Sequence, residues 1–196
     1  WIVVWESSEN LGNAIGEDTD ILYAVSSDDG ATWSAPAAIS ALATSDTGED
    51  FVPDVATDEK GRWLVAWMSN DDQAGTVGTD DDIIYVVSDN DGTTWSAPKP
   101  LNTNAANDDD EDDDFDPSIS SDGRGNWLAF WHAESTLGGT LGKDQDILYS
   151  RSTDNGNGWA PPLPAGAYAT ADTGEDVNVE IQTDGDEWVA VWESTE

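Results

Sequence analysis

Gly78-Thr79-Asp80-Asp81-Asp82-Ile83-Ile84-Tyr85-Val86-Val87-Ser88-Asp89-Asn90-Asp91-Gly92-Thr93-Thr94-Trp95 decides the fold. Its middle, Asp82–Ser88, is β-branched and aromatic, the composition of a strand. Its end, Ser88–Trp95, holds the Asp, Asn and Gly of a tight turn. The same order returns twice. Gly16–Ile21 leads to Ser26–Trp33, and Gly142–Ile147 leads to Ser152–Trp159.

Other features keep that step. Trp-x-x-x-Trp recurs at Trp1/Trp5, Trp63/Trp67, Trp127/Trp131 and Trp188/Trp192. The first tryptophans of the pairs lie 62 (1 to 63), 64 (63 to 127) and 61 (127 to 188) residues apart. An acidic pair leads into an apolar run at Glu49-Asp50-Phe51, Asp113-Asp114-Phe115 and Glu175-Asp176-Val177. Four features in one register mark a repeat architecture.

Each unit contains four strand-sized runs. Strand A is Phe51–Thr57, and strand B is Trp63–Ser69, apolar on both faces as a strand covered on both sides must be. Strand C is Asp82–Ser88. Strand D, Trp95–Leu101, contains Pro98 and Pro100 and so belongs at an edge. No stretch has a helical period. The expected fold is all-β: a β-propeller segment of four-stranded antiparallel blades, about three blades' worth. Along the chain the strands run B-C-D, A-B-C-D, A-B-C-D, A-B. The repeat units are 1–50, 51–114, 115–176 and a partial 177–196. The opening and closing Trp-x-x-x-Trp strings nearly match, so the chain reads as an excerpt of a larger propeller.

Composition narrows the partners. There are 42 Asp+Glu against 6 Lys+Arg in 196 residues, a net charge of -36. Such a surface repels nucleic acid and anionic lipid and attracts cations. The 11 tryptophans supply a core despite the charge. Cysteine is absent, which excludes disulfides, thiolate metal sites and a Cys nucleophile. No apolar run approaches the roughly 18 residues of a membrane-spanning helix.

The turn after strand C resembles the Asp-box, or BNR repeat, of the sialidase-like propellers. The matching positions are Ser26, Asp28, Gly30 and Trp33; Ser88, Asn90, Gly92 and Trp95; and Ser152, Asp154, Gly156 and Trp159. Asn90 stands in the Asp place, and Gly158 replaces the Thr. The expected role is structural. The Asp or Asn oxygen accepts backbone N–H groups across the turn, the Gly takes a backbone angle that other residues resist, and the Trp packs beneath. The resemblance also implies a secreted or cell-surface location.

Family sialidases are similar to one another in a further set: three arginines for the substrate carboxylate, a Tyr–Glu nucleophile and an Asp acid/base. Guanidinium suits a carboxylate. This sequence has only Arg62, Arg124 and Arg151, and none can be carried over, because all are expected at the Asp-box end of the blades. Tyr23, Tyr85 and Tyr149 share one strand-C position and read as core; Tyr168 is a lone linker residue. His132 varies to Glu or Met in other repeats and reads as a surface residue at a strand end.

Strand parity gathers the B–C loops and D–A linkers on one face. Onto it fall Asp18 and Asp20, Asp80 and Asp82, and Asp144 and Asp146. The linkers add Glu49 and Asp50, the Asp108–Asp114 run with Asp113 and Asp114, and Glu175 and Asp176. Two readings stand side by side. One is a solvated acidic surface. The other is binding of divalent cations, Ca2+ foremost, since calcium takes carboxylate and loop-carbonyl oxygens. The functional expectation is a non-catalytic extracellular segment for binding or assembly, with a glycan or protein ligand. The alternatives are part of a sialidase-like glycoside hydrolase whose catalytic residues lie outside the segment, and a structural repeat protein that self-associates through blade edges.

Overall fold

The computed structural model describes residues 1–73, 75–106, 112–166, 169 and 173–195. Thirteen strands and no helix form among these residues. The first sheet holds β1 (Ile2–Ser7), β2 (Asp20–Val25) and β3 (Ala37–Ala38). The second holds β4 (Asp50–Thr57), β5 (Trp63–Ser69), β6 (Asp82–Ser88) and β7 (Lys99–Pro100). The third holds β8 (Asp114–Ser121), β9 (Trp127–Ala133), β10 (Asp146–Ser152) and β11 (Leu163–Pro164). The last pairs β12 (Asp176–Thr183) with β13 (Trp188–Ser194). All neighbours are antiparallel and consecutive, so the sheets are blades in the order B-C-D, A-B-C-D, A-B-C-D, A-B. Among the described residues no helix is long and apolar enough to cross a membrane.

Strand D is shorter than the seven residues expected. Only two of its residues enter each ladder, because proline has no N–H to donate. Strand A carries a bulge that its weak alternation did not announce. The register of β4 slips between Phe51 and Asp54, that of β8 between Phe115 and Ser118, and that of β12 between Val177 and Glu180. Val52, Asp116 and Asn178 sit inside the slips at φ 47°, 49° and 56°. One extra residue per strand bends the ladder and re-aims the rest of the strand.

The core lies between blades. On β5, Val65 and Trp67 pack towards the first blade, and Leu64 and Ala66 towards the third. This explains why strand B is apolar at every position. Trp67 and Trp131 are fully buried, as expected. Trp5 is only half-buried, and Trp192 is 40% exposed, although both hold the same place in the repeat. Trp192 lies on the outer strand of a two-stranded sheet, so no third strand shields it.

The Asp-box tryptophans of the second and third blades also reach the preceding blade. Trp95 meets Tyr23 edge-on at 5.6 Å, and Trp159 meets Tyr85 at 6.0 Å. The second and third boxes therefore clamp their blades to the preceding ones. Trp33 has no such tyrosine and is 45% exposed.

Candidate functional site

At the Asp-box end the chemistry is structural. Ser26 Oγ donates to Asp28 Oδ1 at 2.8 Å and accepts Gly30 N–H at 2.9 Å; Asp28 Oδ1 accepts Thr32 N–H at 2.9 Å. Ser88, Asn90, Gly92 and Thr94 repeat that net, and so do Ser152, Asp154, Gly156 and Gly158. The hydrogen bond from Thr32 and that from Ser26 hold the Asp28 carboxyl below its ordinary range.

The three arginines are engaged at this end. Arg62, buried, donates to Asp89 and, at 2.6 Å, to Asn157 Oδ1 of the next blade. Arg124 donates to Asp186 at 2.7 Å, and Arg151 to Asn126 at 3.1 Å. Tyr85 is buried and Tyr149 stacks on Phe130, so the strand-C tyrosines are packing residues. Tyr168 lies outside the described residues. His132 is not the surface residue expected: it is 6% exposed, stacked on Phe115 at 5.3 Å, with Nδ1 4.0 Å from Asp116. Burial holds its imidazole below the usual range, against the pull of Asp116 and Glu134.

The opposite end is built from carboxylates. Each D–A linker closes on the B–C loop of the blade it leaves. Asp50, Asp114 and Asp176 donate backbone N–H to the carbonyls of Thr19, Asp81 and Gln145 at 2.8, 2.7 and 2.8 Å. The preceding acids return the bond. Glu49 accepts Thr19 N–H at 2.9 Å, Asp113 accepts Asp81 N–H at 3.0 Å, and Glu175 accepts Gln145 N–H at 2.9 Å. The acidic pair at the head of strand A thus locks linker to loop. Of the Asp108–Asp114 run, residues 108–111 lie outside the described residues.

Beside the lock stand the aspartates of the Gly-x-Asp-x-Asp strings. Asp20, Asp82 and Asp146, each 1% exposed, open their C strands. Gly16 and Gly142 admit the first aspartate of each string: a Cβ at either would stand 2.1 Å from Oδ1 of Asp18 or Asp144. Asp80 is buried at the corresponding place in the second blade.

Blades one and two satisfy these acids differently. In the second blade the Asn102 amide nitrogen donates to Asp82 Oδ1 at 2.6 Å and to Asp114 Oδ2 at 2.7 Å, and Trp131 Nε1 donates to Asp114 Oδ1 at 2.7 Å. The ladder register puts Ser40 at the Asn102 place in the first blade and Gly166 in the third. Ser40 is too short to plug the gap, and its hydroxyl accepts Leu42 N–H instead.

In the first blade the carboxylates crowd. One oxygen each of Asp18, Asp20 and Asp46 lies within 4.8 Å of the others. Burial, then the charges of Asp18, Asp46 and Glu49, push Asp20 up to about 7. Burial pushes Asp50 up to about 7 as well, against the pull of Ser69 and Trp67. Burial and the charges of Asp71 and Asp18 push Asp46 up to about 6. Asp46 was not among the expected ligands. A signal for it existed: Ala43-Thr44-Ser45-Asp46-Thr47-Gly48-Glu49-Asp50 is repeated, one residue changed, at Ala169–Asp176. Asp172, the Asp46 counterpart there, lies outside the described residues.

A cavity of about 640 Å³ is lined by Thr103, Asn104, Ser135, Leu137, Pro162 and Leu163 among others, and Asp112 is the one titratable residue among its described lining residues.

No protein-family model matches this sequence, and no curated protein matches it. Solved structures do match in fold. A Hadza microbial sialidase superposes with a TM-score of 0.57 at 15% identity, over 83% of this chain and 33% of its own. A Penicillium chrysogenum alpha-L-arabinanase gives 0.54 at 17% identity, over 92% and 48%. A leech intramolecular trans-sialidase gives 0.52 at 10% identity, over 84% and 41%. The chain has the sialidase-like propeller fold and spans a third to a half of the length of these structures. At such identities the likeness is one of fold alone.

Proposed function

We propose that the chain is a non-catalytic segment of a sialidase-like propeller, acting outside the cell in binding or assembly. The observation that carries this is the placement of the arginines. Arg62, Arg124 and Arg151 are all engaged at the Asp-box end, while the loop end gathers carboxylates. A sialoside carboxylate brought to that face would meet repulsion instead of a guanidinium clamp. The likeness in fold to sialidases supports the extracellular location.

The purified chain is expected to leave a fluorogenic sialoside intact. Turnover that disappears when Arg62, Arg124 or Arg151 is changed to Ala would overturn the proposal and favour a glycoside hydrolase.

A further inference from the structure

We infer that Asp18, Asp20 and Asp46 form a calcium site that ties the β1–β2 loop to the linker entering β4. This goes beyond the reading above and stands on different observations. The three carboxylates converge, with one oxygen of each inside a 4.8 Å span. A Ca2+ about 2.4 Å from each oxygen fits such a group, and three protein carboxylates suit Ca2+ better than Mg2+, which keeps most of its waters and takes one or two carboxylates.

Convergence alone would describe any acidic surface. The second observation is burial without partners. Asp20 is 1% exposed, and its Oδ2 has no hydrogen-bond partner. Asp18 Oδ2 and Asp46 Oδ1 are likewise buried and unpartnered. Native structures rarely leave such oxygens unsatisfied, and three negative ones together repel one another.

The second blade serves as an internal control. There the amide of Asn102 joins the strand-C aspartate to the strand-A aspartate. The first blade has Ser40 at that place, so its Asp20 lacks the amide. A cation supplies what the asparagine supplies next door. The oxygen-only ligand set, with no His or Cys, selects a hard ion. Gly16 completes the design, since any side chain there would collide with Asp18 Oδ1.

The test uses the 196-residue chain, stripped with EGTA and dialysed. Calorimetric titration with CaCl2 is compared with MgCl2, and melting is followed at matched ionic strength. At about a hundredfold excess over Kd, Ca2+ is expected to raise Tm by about 5 °C or more over EGTA with NaCl. Asp46→Asn is expected to weaken this binding at least tenfold and remove most of the gain. Asp29→Asn, an exposed charge in the Asp-box turn, should leave the gain unchanged. Ser40→Asn should raise Tm in EGTA and shrink the response to Ca2+, a readout that survives if an aspartate variant folds poorly. Equal Tm in Ca2+ and EGTA, an undiminished gain in Asp46→Asn, or equal response to Mg2+ would each overturn the assignment. None of these outcomes bears on sialoside turnover, so the two proposals fail separately.

Discussion

Gly30, Gly92 and Gly156 hold the same place in three Asp-box turns, all at positive φ, yet their surroundings differ. A Cβ on Gly92 would stand 2.5 Å from Ile2 Cδ1 of the first blade, and one on Gly156 would stand 3.0 Å from Leu64 Cδ1 of the second. A Cβ on Gly30 would meet only its own Trp33, at 3.9 Å. Replacement by Ala carries the same backbone strain at all three sites, but at Gly92 it also displaces the Ile2 side chain packed at the seam between two blades. Gly92→Ala should therefore cost about 1 kcal/mol more than Gly30→Ala in denaturant unfolding. Equal losses would mean that the boxes stabilise turns alone and do not clamp blades. The sequence announced the turn, because Asp, Asn and Gly act locally. It did not announce the clamp, which depends on what the neighbouring blade presents.

Strands B and C were legible to the residue, since alternation and β-branching are local and these strands are covered on both faces. Strand A was less so. Its bulge places Val52, a β-branched residue, at φ 47°, a choice that no propensity favours. The same bulge sets Asp54 against the next blade, where its carboxylate accepts Ile119 N–H at 2.7 Å while also accepting Val55 N–H of its own strand at 2.7 Å. Burial still raises the Asp54 pKa above its ordinary value, with the charge of Glu180 adding to it. The native state thus binds this proton more tightly than the unfolded chain does, and stability falls as pH rises from about 4 through the raised value. Asp54→Asn should lower stability at pH 4.5 by losing one acceptor, and its deficit against wild type should narrow towards pH 7. A constant deficit across that range would show that Asp54 titrates as it does unfolded. Tryptophan burial gives a second test on the same elements. Trp67→Ala, inside the core between blades, should cost roughly 3–5 kcal/mol, and Trp192→Ala, on the exposed β13, well under half of that.

At the scale of the molecule, both ends of the propeller carry carboxylates and the three arginines lie at one of them. The Asp-box end holds the arginines and their partners; the loop end concentrates carboxylates whose grouping the repeats foretold only in part. Asp18 and Asp20 were legible from their spacing. Asp46 was hidden in a linker where no strand period applies, and His132 looked superficial because its burial comes from Phe115 on another strand. With a net charge of -36 at pH 7, self-repulsion opposes compaction at neutral pH and low salt. Only two Arg–carboxylate pairs lie within 4.0 Å among the described residues, and that of Arg124 is exposed on both sides. Monovalent salt therefore has much repulsion to screen and little attraction to weaken. Raising NaCl from about 0.05 to about 1 M, where the Debye length drops to about 3 Å, should raise Tm steadily in EGTA. The increment should be smaller in saturating Ca2+, because a bound cation has already neutralised part of the loop end. A Tm that falls with salt would place the balance on ion pairs, and an increment unchanged by Ca2+ would place the screened repulsion away from Asp18, Asp20 and Asp46.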